Sequence, residues 1–328
     1  MQNGIIIDVN EEVIHKLNPD LWAILLYDRT TRKNILWATN DYSDLGIEYN
    51  AGSEIKSHLI TGVNVKIIRP RVMKAAEQKE GRTRDKAEVF TPSWVCNAQN
   101  NLVDDQWFGR ENVFNYTSGI TWTATTEKIV FPEKGLKTWK RYVDAKRLEI
   151  TCGEAPYLAS RYDAVTGTPI PIKERIGFLD RKLRVVNENT ETEEEWKLWA
   201  RHAVESVYGF EFQGDNLLLA RENILYTYIE HYRERFEKEP EIKTLKEIAL
   251  VISWNLWQMD GFNYAIPYCK VNTEQIWAPT LFDLFPEAMG VTDYTYLQDP
   301  KGQALCKIRD WRMKKTVLYK NIVGGEKK

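Results

Sequence analysis

Three features of this chain carry residue types suited to holding a nucleoside-bearing ligand, and their order gives them joint meaning. The first is Leu148-Glu-Ile-Thr-Cys-Gly-Glu-Ala-Pro-Tyr157, an apolar strand running into a glycine turn. In open α/β sheets ligands sit at the carboxyl ends of strands, and Gly153 removes the side chain that would keep a ligand off the backbone. The second is Gly209-Phe-Glu211-Phe, a strand ending on an acid, as needed to accept both hydroxyls of a ribose. The third is Asp260, a later acid able to accept a hydrogen bond from an exocyclic amine. A glycine after a strand is ordinarily just a turn, and an acid at a strand end is ordinarily a cap or a surface charge. Read in order, they outline one pocket, with the turn and Glu211 gripping opposite portions of one ligand.

The elements that must position them form an α/β series. Residues 1–72 read as an N-terminal α/β extension: a strand at 5–7, a helix over 11–17, apolar runs at 21–27 and 34–38, and a β-branched strand at 63–68. Residues 73–86 are polar and charged and read as a linker or mobile loop. The core spans 87–270. It opens with a helix over 93–103, with Thr91 as its cap and Pro92 in the first helical position. A strand at 147–151 follows, and 163–190, turn-rich and then basic, reads as an excursion from the main fold. Thr192-x-x-Glu195 is a capping box. Behind it Trp196, Trp199, Ala200, Ala203, Val204 and Val207 recur at helical spacing. A strand at 208–212 leads to a long helix through about residue 236, capped by Asp215 or Asn216. Thr244-x-x-Glu247 opens another helix, and periodicity leaves 255–260 open between helix and strand. The tail, 271–328, completes the core with one strand-like run at 304–308.

Composition sets the limits. A chain of 328 residues, 43% hydrophobic and 28% charged, builds a substantial core in about two domains, or one with extensions. A net charge of -2 excludes a polybasic nucleic-acid binder but leaves room for a local positive face. No apolar run approaches the roughly 20 residues of a membrane span, and the opening Met-Gln-Asn-Gly-Ile-Ile-Ile-Asp8 lacks the pattern of a signal peptide. A cytoplasmic location without membrane contact is expected. Four scattered cysteines without a Cys-x-x-Cys pair read as free thiols in a reducing compartment, with no metal site. Twelve tryptophans serve as core filler, interface anchors or stacking platforms for bases.

Phe90-Thr-Pro-Ser-Trp94, Glu149-Ile-Thr-Cys-Gly-Glu154 and Gly209-Phe-Glu211 with Leu219-Ala-Arg-Glu-Asn223 together resemble the amino-methylating DNA methyltransferases. The group they most resemble is the restriction–modification "M subunit" adenine-N6 methylases, over residues 87–262, about half the chain. The resemblance implies a Rossmann-like methyltransferase sheet with helices on both faces and S-adenosylmethionine as cofactor. It also implies DNA as substrate and a specificity or nuclease subunit as protein partner. It carries Phe90, Thr91 and Pro92 onto the methionine end of the cofactor and Glu149, Thr151, Cys152 and Gly153 onto the glycine turn. Glu211 falls on the ribose acid and Asp260 on the acid that contacts adenine. Two departures stand out: Ala155, followed by Pro156, replaces the turn's second glycine, and the distance from Gly153 to Glu211 is far longer than one helix requires. The Ala155 methyl fits if its φ stays negative.

The larger departure is catalytic. The family holds the target amine with an Asn or Asp, two prolines and an aromatic that stacks on a flipped-out base. No Asn-Pro-Pro-Tyr or Asp-Pro-Pro-Tyr occurs in this chain. Two segments keep part of that set: Asn40-Asp41-Tyr42 behind the apolar run at 34–38, and Asp310-Trp311 behind Cys306-Lys-Ile-Arg. The first is preferred; it puts the catalytic part ahead of the cofactor part. The rival readings are a non-catalytic cofactor- or DNA-binding accessory or anti-restriction protein, and a methyltransferase acting on RNA or a protein side chain. Lys173, Arg175, Arg181, Lys182 and Arg184, with Arg82, Arg84 and Lys86, are expected either to track phosphates or to form a solvated basic face.

Overall fold

The computed structural model describes residues 11–74, 91–132, 137–270 and 302–323. The strand expected at 5–7, Phe90, and the basic residues Arg82, Arg84 and Lys86 lie outside the described residues. The chain enters through α1 (Glu11–Leu17) and α2 (Pro19–Leu26). Asn18 Oδ1 accepts from the Leu21 N–H at 3.0 Å and Pro19 holds the first helical position, so the apolar run at 21–27 becomes a capped, buried helix. The hairpin β1 (Tyr27–Asp28) and β2 (Lys33–Asn34) follows. The strand expected at 63–68 is instead a 3-10 turn, Gly62–Asn64, with turns behind it. Val63 is 99% exposed, and β-branched content makes no strand where no neighbour supplies a ladder.

Helix α3 (Ser93–Phe108) runs five residues past its expected end, to Gly109 in the left-handed region. Its cap position is Pro92, with no side-chain cap bond, so Thr91 does not cap it. The hairpin β3 (Asn115–Ser118) and β4 (Thr121–Ala124) and the short α4 (Trp139–Val143) lead to the central sheet. That sheet is parallel and ordered β5 (Arg147–Glu149), β6 (Val207–Glu211), β7 (Leu256–Gln258), with Glu149 opposite Gly209 and Glu211 opposite Gln258.

Between β5 and β6 run α5 (Phe178–Asn189) and α6 (Glu193–Glu205). The segment 163–190 is therefore no excursion: Leu179, Leu183, Val185 and Val186 of α5 are fully buried in the core. Thr192 Oγ1 accepts from the Glu195 N–H at 3.2 Å as expected, but the Glu195 carboxylate reaches the N–H of Glu191 rather than that of Thr192. Between β6 and β7 run α7 (Gly214–Phe236) and α8 (Ile242–Asn255). Helix α7 starts at Gly214 without a side-chain cap, which moves Asp215 and Asn216 inside it, and α8 starts two residues before Thr244. The ambiguity at 255–260 resolves to the last helical residue, Asn255, followed by strand over 256–258. Asn255, fully buried, donates to Val204 O and Val207 O at 3.0 Å each and fixes the change from helix to β7. Strands β8 (Ala265–Lys270) and β9 (Gln303–Leu305), the hairpin β10 (Lys307–Asp310) and β11 (Lys315–Leu318), and α9 (Tyr319–Val323) complete the mixed α/β architecture.

One hydrophobic cluster joins Trp22, Trp37, Ile55 and Ile60 to Leu218, Ile248 and Leu256, so residues 11–68 share the core of the parallel sheet. Polar bridges reinforce the join. The Gln258 amide accepts from Leu36 N–H and donates to Leu36 O and Phe212 O, all at 2.8 Å. The Gly214 N–H donates to Trp37 O at 3.0 Å, and a Cβ on Gly214 would lie 1.9 Å from Leu36 O. Gly214→Ala is expected to cost about 2–3 kcal/mol through this overlap, read by urea denaturation; a change below about 0.5 kcal/mol would contradict the packing.

The four cysteines are free, with Cys96, Cys152 and Cys306 buried. Trp22, Trp37 and Trp196 are fully buried core filler. Among the described residues no helix is long and apolar enough to cross a membrane, and no His/Cys/Asp/Glu group is arranged to hold a metal ion.

Candidate functional site

The end of β5 is folded back on itself by Glu149, whose buried carboxylate accepts from the Tyr157 and Leu158 N–H groups. Burial pushes this carboxyl well above the ordinary range, and the nearby Glu211 adds to the effect. The turn between them passes through Thr151, Gly153 and Ala155, all at positive φ (+47°, +54° and +63°). The condition of a negative φ, under which the Ala155 methyl would fit without strain, is not met. The left-handed conformation costs an alanine about 1–2 kcal/mol, partly offset by burying its methyl completely in the core. Cys152 donates its N–H to Phe210 O at 2.9 Å, which binds the turn to β6.

The turn and the acid that the sequence connects meet directly: the Gly153 N–H donates to Glu211 Oε2 at 2.8 Å. Glu211 Oε1 accepts from the N–H groups of Phe212 and Gln213. Burial raises the pKa of Glu211, while these three N–H groups favour its charged form. A carboxylate oxygen offers two acceptor positions. Oε1 uses both and Oε2 one, so Glu211 as it stands can receive one ribose hydroxyl; the second would have to displace an N–H.

Asp260 lies two residues beyond the Gln258–Glu211 pair, and Met259 N–H donates to Glu211 O at 2.9 Å. The half-buried Asp260 carboxylate accepts from Phe262 N–H and Asn263 Nδ2, one bond per oxygen, and keeps an acceptor position on each for an amine. Beside it Phe262 is 96% exposed. Sequence reasoning passed over this aromatic, and the signal available was its place directly after an acid and a glycine at a strand end. Thr91 and Pro92, half-buried, stand at the head of α3, which is tied to the far side of the turn. Ser93 N–H donates to Asp163 Oδ2 at 2.7 Å, and Asn100 Nδ2 donates to Tyr157 O at 3.0 Å.

Cys152 is present through its backbone alone. Its thiol is buried against Gly209, where a Cβ would come within 3.1 Å of Sγ, and burial pushes it well above the ordinary thiol range.

The N-terminal segment reaches this same end of the sheet. Tyr42 Oη and Lys74 Nζ both donate to Asp215 Oδ2, at 2.8 and 3.2 Å, at the start of α7. The Arg71 N–H donates to Glu154 Oε1 at 2.6 Å, on the turn itself. Asn40 and Asp41 are exposed, and Asn40 Oδ1 accepts from Ala51 N–H at 3.1 Å. Asp310-Trp311 lies at the opposite end. Asp310 pairs with Lys146, just before β5, and Trp311 Nε1 donates to Asn255, just before β7. Tyr162, Arg71 and Lys74 were not anticipated; the first two flank Glu154, with Tyr162 Oη donating to Glu154 Oε2 at 2.6 Å.

The basic cluster, expected either to track phosphates or to form a solvated face, is for the most part neither. Arg181 is buried against Asp104 at 2.7 Å, and Lys182, fully buried, donates to Ala145 O and Ser206 Oγ. Arg175 pairs with Glu230 at 2.6 Å and Arg184 with Glu188 at 2.8 Å, leaving Lys173 exposed. Positive charges on an amphipathic core helix were mistaken for a solvent face.

No protein family matches this chain, and comparison with curated proteins and with solved structures likewise gives no match.

Proposed function

We propose that the chain is an S-adenosylmethionine-binding, Rossmann-like methyltransferase that acts on DNA, at the N6 amine of adenine. The observation that carries this reading is the 2.8 Å bond from the Gly153 N–H to Glu211, at the carboxyl end of a parallel sheet. That is where such sheets take nucleotide-like ligands. Glu211 Oε2 receives a ribose hydroxyl, Asp260 the adenine amine, Phe262 offers a face to the ring, and Thr91 and Pro92 border the methionine end. When bound, S-adenosylmethionine supplies an electrophilic methyl on sulfur. The chain's part is to hold the acceptor amine in line with that methyl, so catalysis is largely positioning. Asn40 keeps an acceptor position on Oδ1 for an amine N–H, and its turn lies at the same end as Glu211. Asp310-Trp311, at the amino end, does not suit the role.

One observation favours a second reading, an accessory protein that binds without turnover: the whole sequence lacks a Pro-Pro catalytic loop.

Calorimetry with the full chain tests the pocket. Wild type is expected to bind S-adenosylmethionine, and Glu211→Ala to weaken binding at least tenfold, about 1.4 kcal/mol, with circular dichroism confirming an intact fold. Absence of binding by wild type overturns the reading. Mass spectrometry for N6-methyladenine in DNA from expressing cells separates enzyme from accessory protein. Loss of modification with Asp310→Ala but not Asn40→Ala would overturn the assignment of the catalytic turn.

A further inference from the structure

A cavity of 690 Å³ opens at the amino ends of the parallel strands, opposite the end that carries Gly153 and Glu211. Its walls come from the residues before β5 and β6, from α6, and from the β10–β11 hairpin. Five cationic side chains line it, Lys146, Arg201, Arg309, Arg312 and Lys314, and four carboxylates face them: Asp144 and Glu205 in the lining, and Asp310 and Glu247 as partners of Lys146 and Arg201. The chain as a whole carries -2, so this excess is local.

Several of these cations are held in place by carboxylates. Arg312 pairs with Asp144, Arg201 with Glu205 at 2.9 Å, and Lys146 with Asp310 at 2.9 Å. Such pairs orient a cation without exhausting it, because a guanidinium has five N–H donors and an ammonium three. Lys314 makes no ion pair among the described residues and is exposed. Behind the wall, the buried Lys182 donates to Ser206 Oγ, a lining atom's residue, and interacts electrostatically with Asp144 and Arg312. An anion in the cavity would favour its charged form.

Beside His202 and Ser206, the remaining wall carries an apolar surface built on Trp311. Trp311 is half-buried, with Nε1 anchored to Asn255 Oδ1 at 2.7 Å, and the Arg309 guanidinium sits 5.2 Å from its ring centroid. Leu198, 53% exposed, and Tyr208 extend this surface. Clustered cations beside a fixed aromatic answer to phosphate joined to a planar ring, and the volume falls in the range of small-molecule sites.

We propose that this cavity binds a nucleotide, with its phosphates against Lys146, Arg312 and Lys314 and its base against Trp311 and Leu198. The ligand is either a free nucleotide or the phosphorylated end of a nucleic-acid strand, which share this chemistry. The site is independent of the methyl-transfer reading, since it lies at the other end of the sheet.

The test is titration of the full chain with ATP, adenosine, inorganic phosphate and a 5′-phosphorylated single-stranded oligonucleotide. ATP or the oligonucleotide is expected to bind at one site, and adenosine and phosphate at least tenfold more weakly. Arg312→Ala with Lys314→Ala, both at exposed positions, is expected to weaken binding at least tenfold with an unchanged melting temperature. Glu211→Ala and excess S-adenosylmethionine are expected to leave it intact. An oligonucleotide that binds tenfold more tightly than ATP through the same two residues identifies a strand as the source, and the reverse identifies a free nucleotide; either supports the proposal. Absence of binding by both ligands, binding indifferent to the double substitution, or binding lost with Glu211→Ala overturns it.

Discussion

Arg221→Met is expected to lower the unfolding free energy by about 4–5 kcal/mol, the largest single-residue effect on stability anticipated for this chain. Arg221 is fully buried in α7 and donates to four carbonyls: Leu25 and Tyr27 from the N-terminal segment, Ser253 and Leu256 from the end of α8 and β7. Two effects compete. Removing a buried charge relieves a desolvation penalty, and burial has already pulled this guanidinium down to about 9. Against that, each carbonyl left without a partner costs about 1–3 kcal/mol, and Asp28, buried nearby, loses the charge that steadies it. The carbonyls are several and the charge is one, so the loss dominates. Urea denaturation at constant m-value reads it; a loss below about 1 kcal/mol would show that these five bonds to four carbonyls do not join the segments.

The second large effect is a pH dependence that Glu11→Gln should reduce by the share Glu11 contributes. Glu222 is fully buried in α7 with no partner for either carboxyl oxygen among the described residues, and Glu11 of α1 is only 2% exposed. Burial raises Glu11 from 4.5 to about 7 and Glu222 well above the ordinary range, with the Glu11 charge adding to the latter. Both folded-state values lie above the unfolded ones, so the native chain retains protons that the unfolded chain gives up. The associated stability is complete below about pH 4.5 and is lost as pH rises through 7. A rise of 2.5 units, from 4.5 to 7, at 1.36 kcal/mol per unit amounts to about 3 kcal/mol from Glu11 alone. The stability of Glu11→Gln relative to wild type is therefore expected to improve by about that much between pH 5 and pH 8. A pH-independent difference between the two proteins would rule the effect out.

The helices with strong local signals were legible in the sequence. Residues 11–17 form the expected helix, Thr192 caps α6, and the spacing from Trp196 to Val204 marks its buried face. Gly153 and Glu211 were legible as partners because a strand end, a glycine and an acid each leave a local signature. What was not legible depends on the distant chain. Val63 and Val65 have strand propensity but no neighbouring strand, so tertiary context overrides it. Arg181 and Lys182 look like a solvent face until Asp104, Ala145 and Ser206, from three separate stretches, close around them. Phe262 has no periodic pattern to mark it; its exposure is known only once β7 and β8 are in place.

The Gln258 amide that clasps Leu36 across 222 positions also bears on how the chain is made. Residues 11–68 leave the ribosome with apolar groups such as Trp22, Trp37 and Ile55 whose shared core with α7, α8 and β7 is not yet made. At about 5–20 residues per second, they wait on the order of ten to forty seconds for their partner to be translated. During that interval the nascent chain is open to chaperone capture or aggregation, and a variant that weakens the clasp prolongs the exposure before it lowers the stability of the finished molecule.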